Sequence, residues 1–219
     1  MGLVVNINGN KYHEIVEKGL TVLENMAHRG AEGGDGKTGD GAGIMIQIPH
    51  ESILLNGIPV PEKGRYGTGL VFLPKDSAEQ DAILRTMIEI IESEGLNLMR
   101  LRDVPVNSEC LGQAALETEP AIKQIFVTGP GNSAVADMER KLYIVRKKIE
   151  NSVKNKDFYI VSLSSKVIVY KGMLTSLQVR EYFDDLRNAN FTSAMALVHS
   201  RFSTNTFPTW ALAQPFRNL

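Results

Sequence analysis

Apolar residues recur at helical spacing in three stretches of the chain. From about Tyr12, the residues Ile15, Val16, Gly19, Leu20, Leu23 and Met26 fall on one face, which predicts a helix over 12–27. Ile83, Leu84, Met87, Ile88 and Ile91 predict a second over 77–94, with Gly95 as its stop. Val135, Met138, Leu142, Val145, Ile149 and Val153 predict a third over 133–153, whose Arg140, Lys141, Lys147 and Lys148 face solvent. Each is a clean amphipathic stripe, so all three are expected to pack onto one sheet system.

Shorter apolar runs read as strands, the first rich in β-branched residues and the one over 96–106 alternating Leu98, Leu101 and Val104 with Arg100 and Arg102. They cover 2–8, closed by Asn8-Gly9-Asn10, then 43–48, stopped by Pro49, then 67–73, 96–106 and 122–128, the last followed by Gly129-Pro130-Gly131-Asn132. Residues 158–163 and 166–170 read as a hairpin across Ser164-Ser165, and 193–199 as a final strand. Short helical segments are expected after residue 50 and over 176–186. The order lacks the strict alternation of a parallel sheet, and hairpin-like pairs point to an antiparallel or mixed sheet covered by helices, an α+β class. With no repeat, low-complexity tract or linker, residues 1–219 read as one domain.

Composition removes several classes of function. With 24 basic and 25 acidic residues the chain carries no electrostatic footprint for nucleic acid or an anionic membrane. One cysteine, Cys110, rules out an intrachain disulfide framework and fits a reducing compartment, with the cytoplasm as default. No apolar run is long enough to span a bilayer as a helix.

The candidate chemistry begins where the first helix ends. Gly30, Gly33, Gly34, Gly36, Gly39 and Gly41 alternate with Glu32, Asp35, Lys37 and Asp40 in a loop that suits close backbone approach. Gly36-Lys37-Thr38 mimics the end of a phosphate-binding loop, but Ala31 occupies the position of the required first glycine. That motif also needs a strand before it and a helix after it, the reverse of the pattern here. A phosphate loop is excluded. His28 and Arg29 suit the C-terminal end of the helix dipole on spacing alone.

Two blocks carry a resemblance. Glu24-Asn25-Met26-Ala27-His28-Arg29-Gly30-Ala31 with Asp35-Gly36-Lys37-Thr38-Gly39-Asp40-Gly41-Ala42-Gly43-Ile44 is one; His199-Ser200-Arg201-Phe202-Ser203-Thr204-Asn205-Thr206-Phe207-Pro208-Thr209-Trp210 is the other. In this order they resemble the N-terminal class II glutamine amidotransferase (glutaminase) domain of glutamate synthase large subunits. The resemblance implies a four-layer αββα sandwich of the N-terminal nucleophile hydrolase type, incomplete at both ends. It also implies that Arg201 binds the α-carboxylate of L-glutamine, because a guanidinium can hold a carboxylate through two parallel hydrogen bonds. Ser203, Thr204 and Asn205 are expected to shape the pocket, Asp40 and Gly41 to shape the strand entry beside it, and Arg29 and Gly30 to support the nucleophile.

That nucleophile is an N-terminal cysteine in the family, whose α-amine, with a reference pKa near 8, can serve as the base. The matching text here starts at Gly2-Leu3-Val4, a few residues past that cysteine, and stops before the segment with the oxyanion-hole Asn and Gly. Cys110 lies in no family motif and reads as a small, partly buried hydrophobe. The expectation is a partial domain that does not hydrolyse glutamine by itself. The parent would pass ammonia to 2-oxoglutarate using FMN, an iron–sulfur cluster and electrons from an external donor, which in some members is a small subunit. No cysteine cluster for such a centre exists in this sequence, so these cofactors are expected elsewhere in the parent. A non-catalytic glutamine-sensing or interaction domain of the same fold is the alternative. Another class II amidotransferase fits the two blocks less well.

Overall fold

The computed structural model describes residues 1–130 and 135–216. The expected helix start at 133–134, the end of the Gly129–Asn132 turn and the tripeptide Arg217-Asn218-Leu219 lie outside the described residues. The chain divides into two compact units. The first comprises Met1–Ser52, Val104–Glu119 and Val169–Leu219, and the second Ile53–Asp103 and Pro120–Ile168.

The first unit is built on a four-stranded sheet of β1 (Gly2–Val5), β8 (Met195–Ser200), β2 (Ala42–Gln47) and β7 (Val167–Gly172), in that order. Helix α1 (His13–Asn25) lies on one face and buries Ile15, Val16, Leu20 and Leu23. Gly19 makes the close approach possible: a Cβ there would stand 2.6 Å from the Ala196 Cβ. The short helices of this unit include α2 (His50–Leu55, which runs into the second unit), α4 (Gln113–Glu117) and α6 (Gln178–Tyr182). The first strand is shorter than the expected 2–8 because Asn6 accepts from the Asn8 and Gly9 amides and turns the chain.

The second unit holds the other four-stranded sheet, ordered β4 (Asn97–Asp103), β5 (Ala121–Thr128), β3 (Tyr66–Leu73) and β6 (Tyr159–Ile160). Helices α3 (Ser77–Ser93) and α5 (Val135–Ser152) bury Ile83, Met87, Ile91, Met138, Leu142, Val145 and Ile149 with Val71, Ile125 and Val127 of the sheet. The Asp76 carboxylate caps α3 by accepting from the Glu79 amide at 2.9 Å, and Gly95 (φ +68°) ends it.

Two expectations are corrected. The three amphipathic helices do not share one sheet: α1 covers the first, while α3 and α5 cover the second. Nor do residues 158–163 and 166–170 form a hairpin. Ile160 pairs with Val71 of β3, and β7 joins the other sheet next to β2. Ser164 and Ser165 are held instead by the Glu139 carboxylate, at 2.6–2.8 Å, so the segment between them is a crossover. Both sheets are antiparallel within a mixed α+β architecture, as the sequence pattern implied.

Candidate functional site

Antiparallel register brings the two sequence blocks together. Ala42 lies opposite Ser200 and Gly43 opposite His199, so the chain leaves β8 beside the residues that enter β2. The Arg201 amide donates to the Gly41 carbonyl at 2.8 Å. Its guanidinium donates from Nη1 to the Asp40 carbonyl (3.3 Å) and from Nη2 to Thr206 Oγ1 (2.7 Å). The buried Asp40 carboxylate accepts from the Ser203 amide at 2.5 Å. Asp40 therefore braces the second block through both its carbonyl and its carboxylate.

The Gly-Asp loop reaches this point as a closed turn. The Asp35 carboxylate accepts from Thr38 Oγ1 first, and then from the Thr38 and Lys37 amides, which holds it well below the ordinary carboxylate range. Gly36 takes φ +64°, and Gly33 donates to the Thr38 carbonyl at 2.7 Å. A Cβ at Gly39 would meet the Leu174–Thr175 backbone at 2.1–2.2 Å, so the loop lies directly on the segment that follows β7.

A cleft opens where these pieces meet, edged by Gly30, Glu32, Gly41, Thr175, Ser200 and Arg201. Gly30 packs closely here: a Cβ would stand 2.5 Å from Ser200 Oγ, so a side chain at this position requires Ser200 to shift. Arg29 is exposed in the adjoining 3-10 turn Ala27–Arg29 and does not line the cleft. Thr204 and Asn205 are exposed in the turn beyond Ser203. Ser203 Oγ and His199 Nδ1 are buried without a protein hydrogen-bond partner. Burial first, and then neighbouring positive charges including Arg201, push the His199 imidazole below its ordinary pKa.

The comparisons decide the family. The model for class II glutamine amidotransferases matches residues 1–219. The chain belongs to that family. Within it, this amidotransferase domain is of the glutamate synthase kind. It is 44% identical over 226 residues to the glutamate synthase [NADPH] large chain of Bacillus subtilis (strain 168), covering 100% of this chain and 15% of that protein. It is 41% identical over 223 residues to ferredoxin-dependent glutamate synthase 2 of Synechocystis, again covering 100% of this chain, and 14% of that one. Against glutamate synthase [NADH] of Schizosaccharomyces pombe the identity is 40% over 228 residues, covering 99% of this chain and 11% of that one. The chain thus spans about one seventh of the length of the first two of these curated relatives.

Several residues around the cleft were not singled out as site residues by the sequence reading. Lys171 on β7 is 1% exposed and donates to the Ala211 and Ala213 carbonyls at 2.8 and 2.7 Å. It fixes the segment whose Ala213 packs under Gly41. Trp210 donates to the Ala115 carbonyl at 3.2 Å and covers Gly172. Ser176 donates to Ser200 Oγ at 2.9 Å at the cleft wall. The remaining one is Gln178, and a signal for it was present: Thr175-Ser176-Leu177-Gln178 is a capping-box spacing at the head of α6.

Proposed function

We propose that this chain is the glutaminase part of a glutamate synthase large chain, whose ammonia aminates 2-oxoglutarate with electrons from an external donor. The observation that carries the reading is the Arg201 guanidinium, fixed by Asp40 and Thr206 at the edge of a cleft. Those two bonds occupy two of a guanidinium's five N–H groups, and others remain for a carboxylate. In this reading Arg201 clamps the α-carboxylate of glutamine, and the unpartnered Ser203 hydroxyl, with Thr204 and Asn205, shapes the pocket around it. Asp40 and Gly41 position this group, Gly30 lines the cleft, and Arg29 beside it takes a supporting role from outside the lining.

Hydrolysis of the side-chain amide needs a thiolate to attack the carboxamide carbon, donors for the resulting oxyanion, and a proton for the departing ammonia. Cys110 does not suit the first task. Its thiol donates to the Asn107 carbonyl at 3.2 Å, and burial, reinforced by Glu181 and Glu119, pushes its pKa up to about 11. The reading therefore assigns the nucleophile and oxyanion donors to residues other than these 219, and holds that a polypeptide of this sequence alone is inactive. It likewise assigns FMN and the iron–sulfur cluster to the rest of the parent. Among the described residues no three His, Cys, Asp or Glu side chains stand close enough to hold a metal.

The full-length family match, running through both compact units, supports treating residues 1–219 as part of one domain. Two antiparallel sheets, each with its own helical cover, support the four-layer sandwich as its architecture. No helix among the described residues is long and apolar enough to cross a membrane. A cytoplasmic setting with reduced thiols fits the lone, free Cys110. The test is isotope transfer in the complete protein: nitrogen-15 from amide-labelled glutamine should appear in the 2-amino group of newly formed glutamate. Transfer absent under conditions where ammonia is accepted would refute it.

A further inference from the structure

Gln178 is the first residue of α6 and only 8% exposed, yet it touches three separate segments of backbone. Its Oε1 accepts from the Thr175 amide at 2.8 Å, while its own amide donates to Thr175 Oγ1 at 3.4 Å. This reciprocal pair has the form of a capping box on the turn that leads into α6, where Leu177 already takes helical angles, and it uses only the oxygen end of the side chain. The Nε2 end donates one hydrogen to the Lys37 carbonyl at 2.9 Å and the other to the Cys110 carbonyl at 2.6 Å. Every hydrogen-bonding atom of the carboxamide except the second lone pair of the oxygen is thereby in use.

A capping box needs only the oxygen, so glutamate would serve the helix as well as glutamine. The choice of an amide is explained by the two carbonyls, which require donors. Lys37 lies three residues before Asp40, in the Gly-Asp loop, and Thr175 is in the cleft wall. Beside it, Gly112 packs under Thr38, where a Cβ would stand 2.4 Å from the Thr38 amide nitrogen. One side chain thus ties the loop, the wall and the 108–112 segment to each other.

We propose that Gln178 is a positioning residue for the substrate site, latching the Gly-Asp loop so that Asp40 can hold Arg201 and Ser203. The inference rests on the reading that this cleft takes glutamine. It acts through Lys37 and Asp40 and makes no contact with substrate itself.

The test uses the complete protein and the variants Gln178→Glu and Gln178→Met. Gln178→Glu keeps the helix cap and removes both donors; Gln178→Met removes cap and donors together. Hydrogen exchange in peptides spanning residues 35–41 reads the latch, and steady-state kinetics with glutamine or with ammonia read its consequence. Both variants should exchange faster in that loop and raise the KM for glutamine up to about tenfold, the scale of losing hydrogen bonds to two partly buried carbonyls. The ammonia-dependent rate should not change. Faster exchange with an unaltered KM would overturn the proposal, leaving Gln178 a purely structural cap. Unaltered exchange in Gln178→Glu would overturn it as well, since no latch would exist. Loss of ammonia-dependent activity along with glutamine use would do the same by showing a general folding role. A wild-type protein that does not use glutamine marks the separate failure of the underlying reading.

Discussion

Arg201 donates from Nη1 to the main-chain oxygen of Asp40, 161 positions earlier in the chain. The same aspartate turns its carboxylate the other way, onto the Ser203 amide. Residue 40 thus fixes both the base of the guanidinium and the turn that follows it. Neither contact can be read from local sequence, because β2 and β8 must pair before the residues meet.

Removing that carboxylate should therefore impair substrate binding more than folding. In Asp40→Ala the main-chain bond to Arg201 can persist, while the charged bond to the Ser203 amide is lost. Hydrogen bonds to charged groups contribute about 1.5–3 kcal/mol, so the KM for glutamine should rise by roughly tenfold or more. Titration of initial rates in the complete protein gives the answer. An unchanged KM would remove Asp40 from the site.

The Gly-Asp loop should be intolerant of bulk only where it touches its neighbour. Gly39→Ala places a methyl 2.1 Å from the Leu174 carbonyl carbon, whereas the Gly34 position has open space around it. Overpacking of this kind costs about 1–3 kcal/mol, and an exposed substitution is within about 0.5 kcal/mol of neutral. Denaturant midpoints of the two variants should separate accordingly. Equal midpoints would mean that the loop does not rest on Leu174.

Much of the architecture was legible because it is written in periodicity. The stripes of α1, α3 and α5 each encode a helix with its buried face, and the apolar run of β3 and the β-branched run of β5 each encode a strand. Which sheet each helix covers is not local information. Nor was the fate of Ser164-Ser165, since a turn and a crossover look alike until Glu139 is seen to hold both serines. Around the candidate site, Arg201, Asp40, Gly41 and Gly30 were singled out through whole blocks rather than spacing. Lys171 could not have been found. A single lysine in a strand has no signature of burial, and its partners are main-chain carbonyls some 40 residues away.

Cys110 provides a pH test with a definite sign. Its thiol keeps its proton in the folded state up to about 11, against an ordinary 9.0. As pH rises through 9 towards 11, the unfolded chain releases a proton that the folded chain retains, so stability should decline over that window. Below about pH 8 the effect should vanish, because both states are then protonated. Cys110→Ser should remove this part of the alkaline decline, as read by thermal unfolding across pH. Thiol alkylation at pH 7.5 should also be slow in the native protein. Rapid alkylation, or an identical alkaline profile in Cys110→Ser, would contradict the assigned environment.

The proposed clamp of Arg201 on the α-carboxylate of glutamine is addressed by one substitution. Arg201→Lys keeps the charge but cannot reproduce two parallel N–H donors, so the clamp becomes a single point contact. In the complete protein, glutamate formation should be measured with glutamine and, separately, with ammonia as the nitrogen source. With glutamine, kcat/KM should fall roughly 10- to 100-fold, the scale of a lost charged hydrogen bond, while the ammonia-dependent rate holds. Glutamine-dependent activity equal to wild type, or an equal loss with both nitrogen sources, would contradict the clamp.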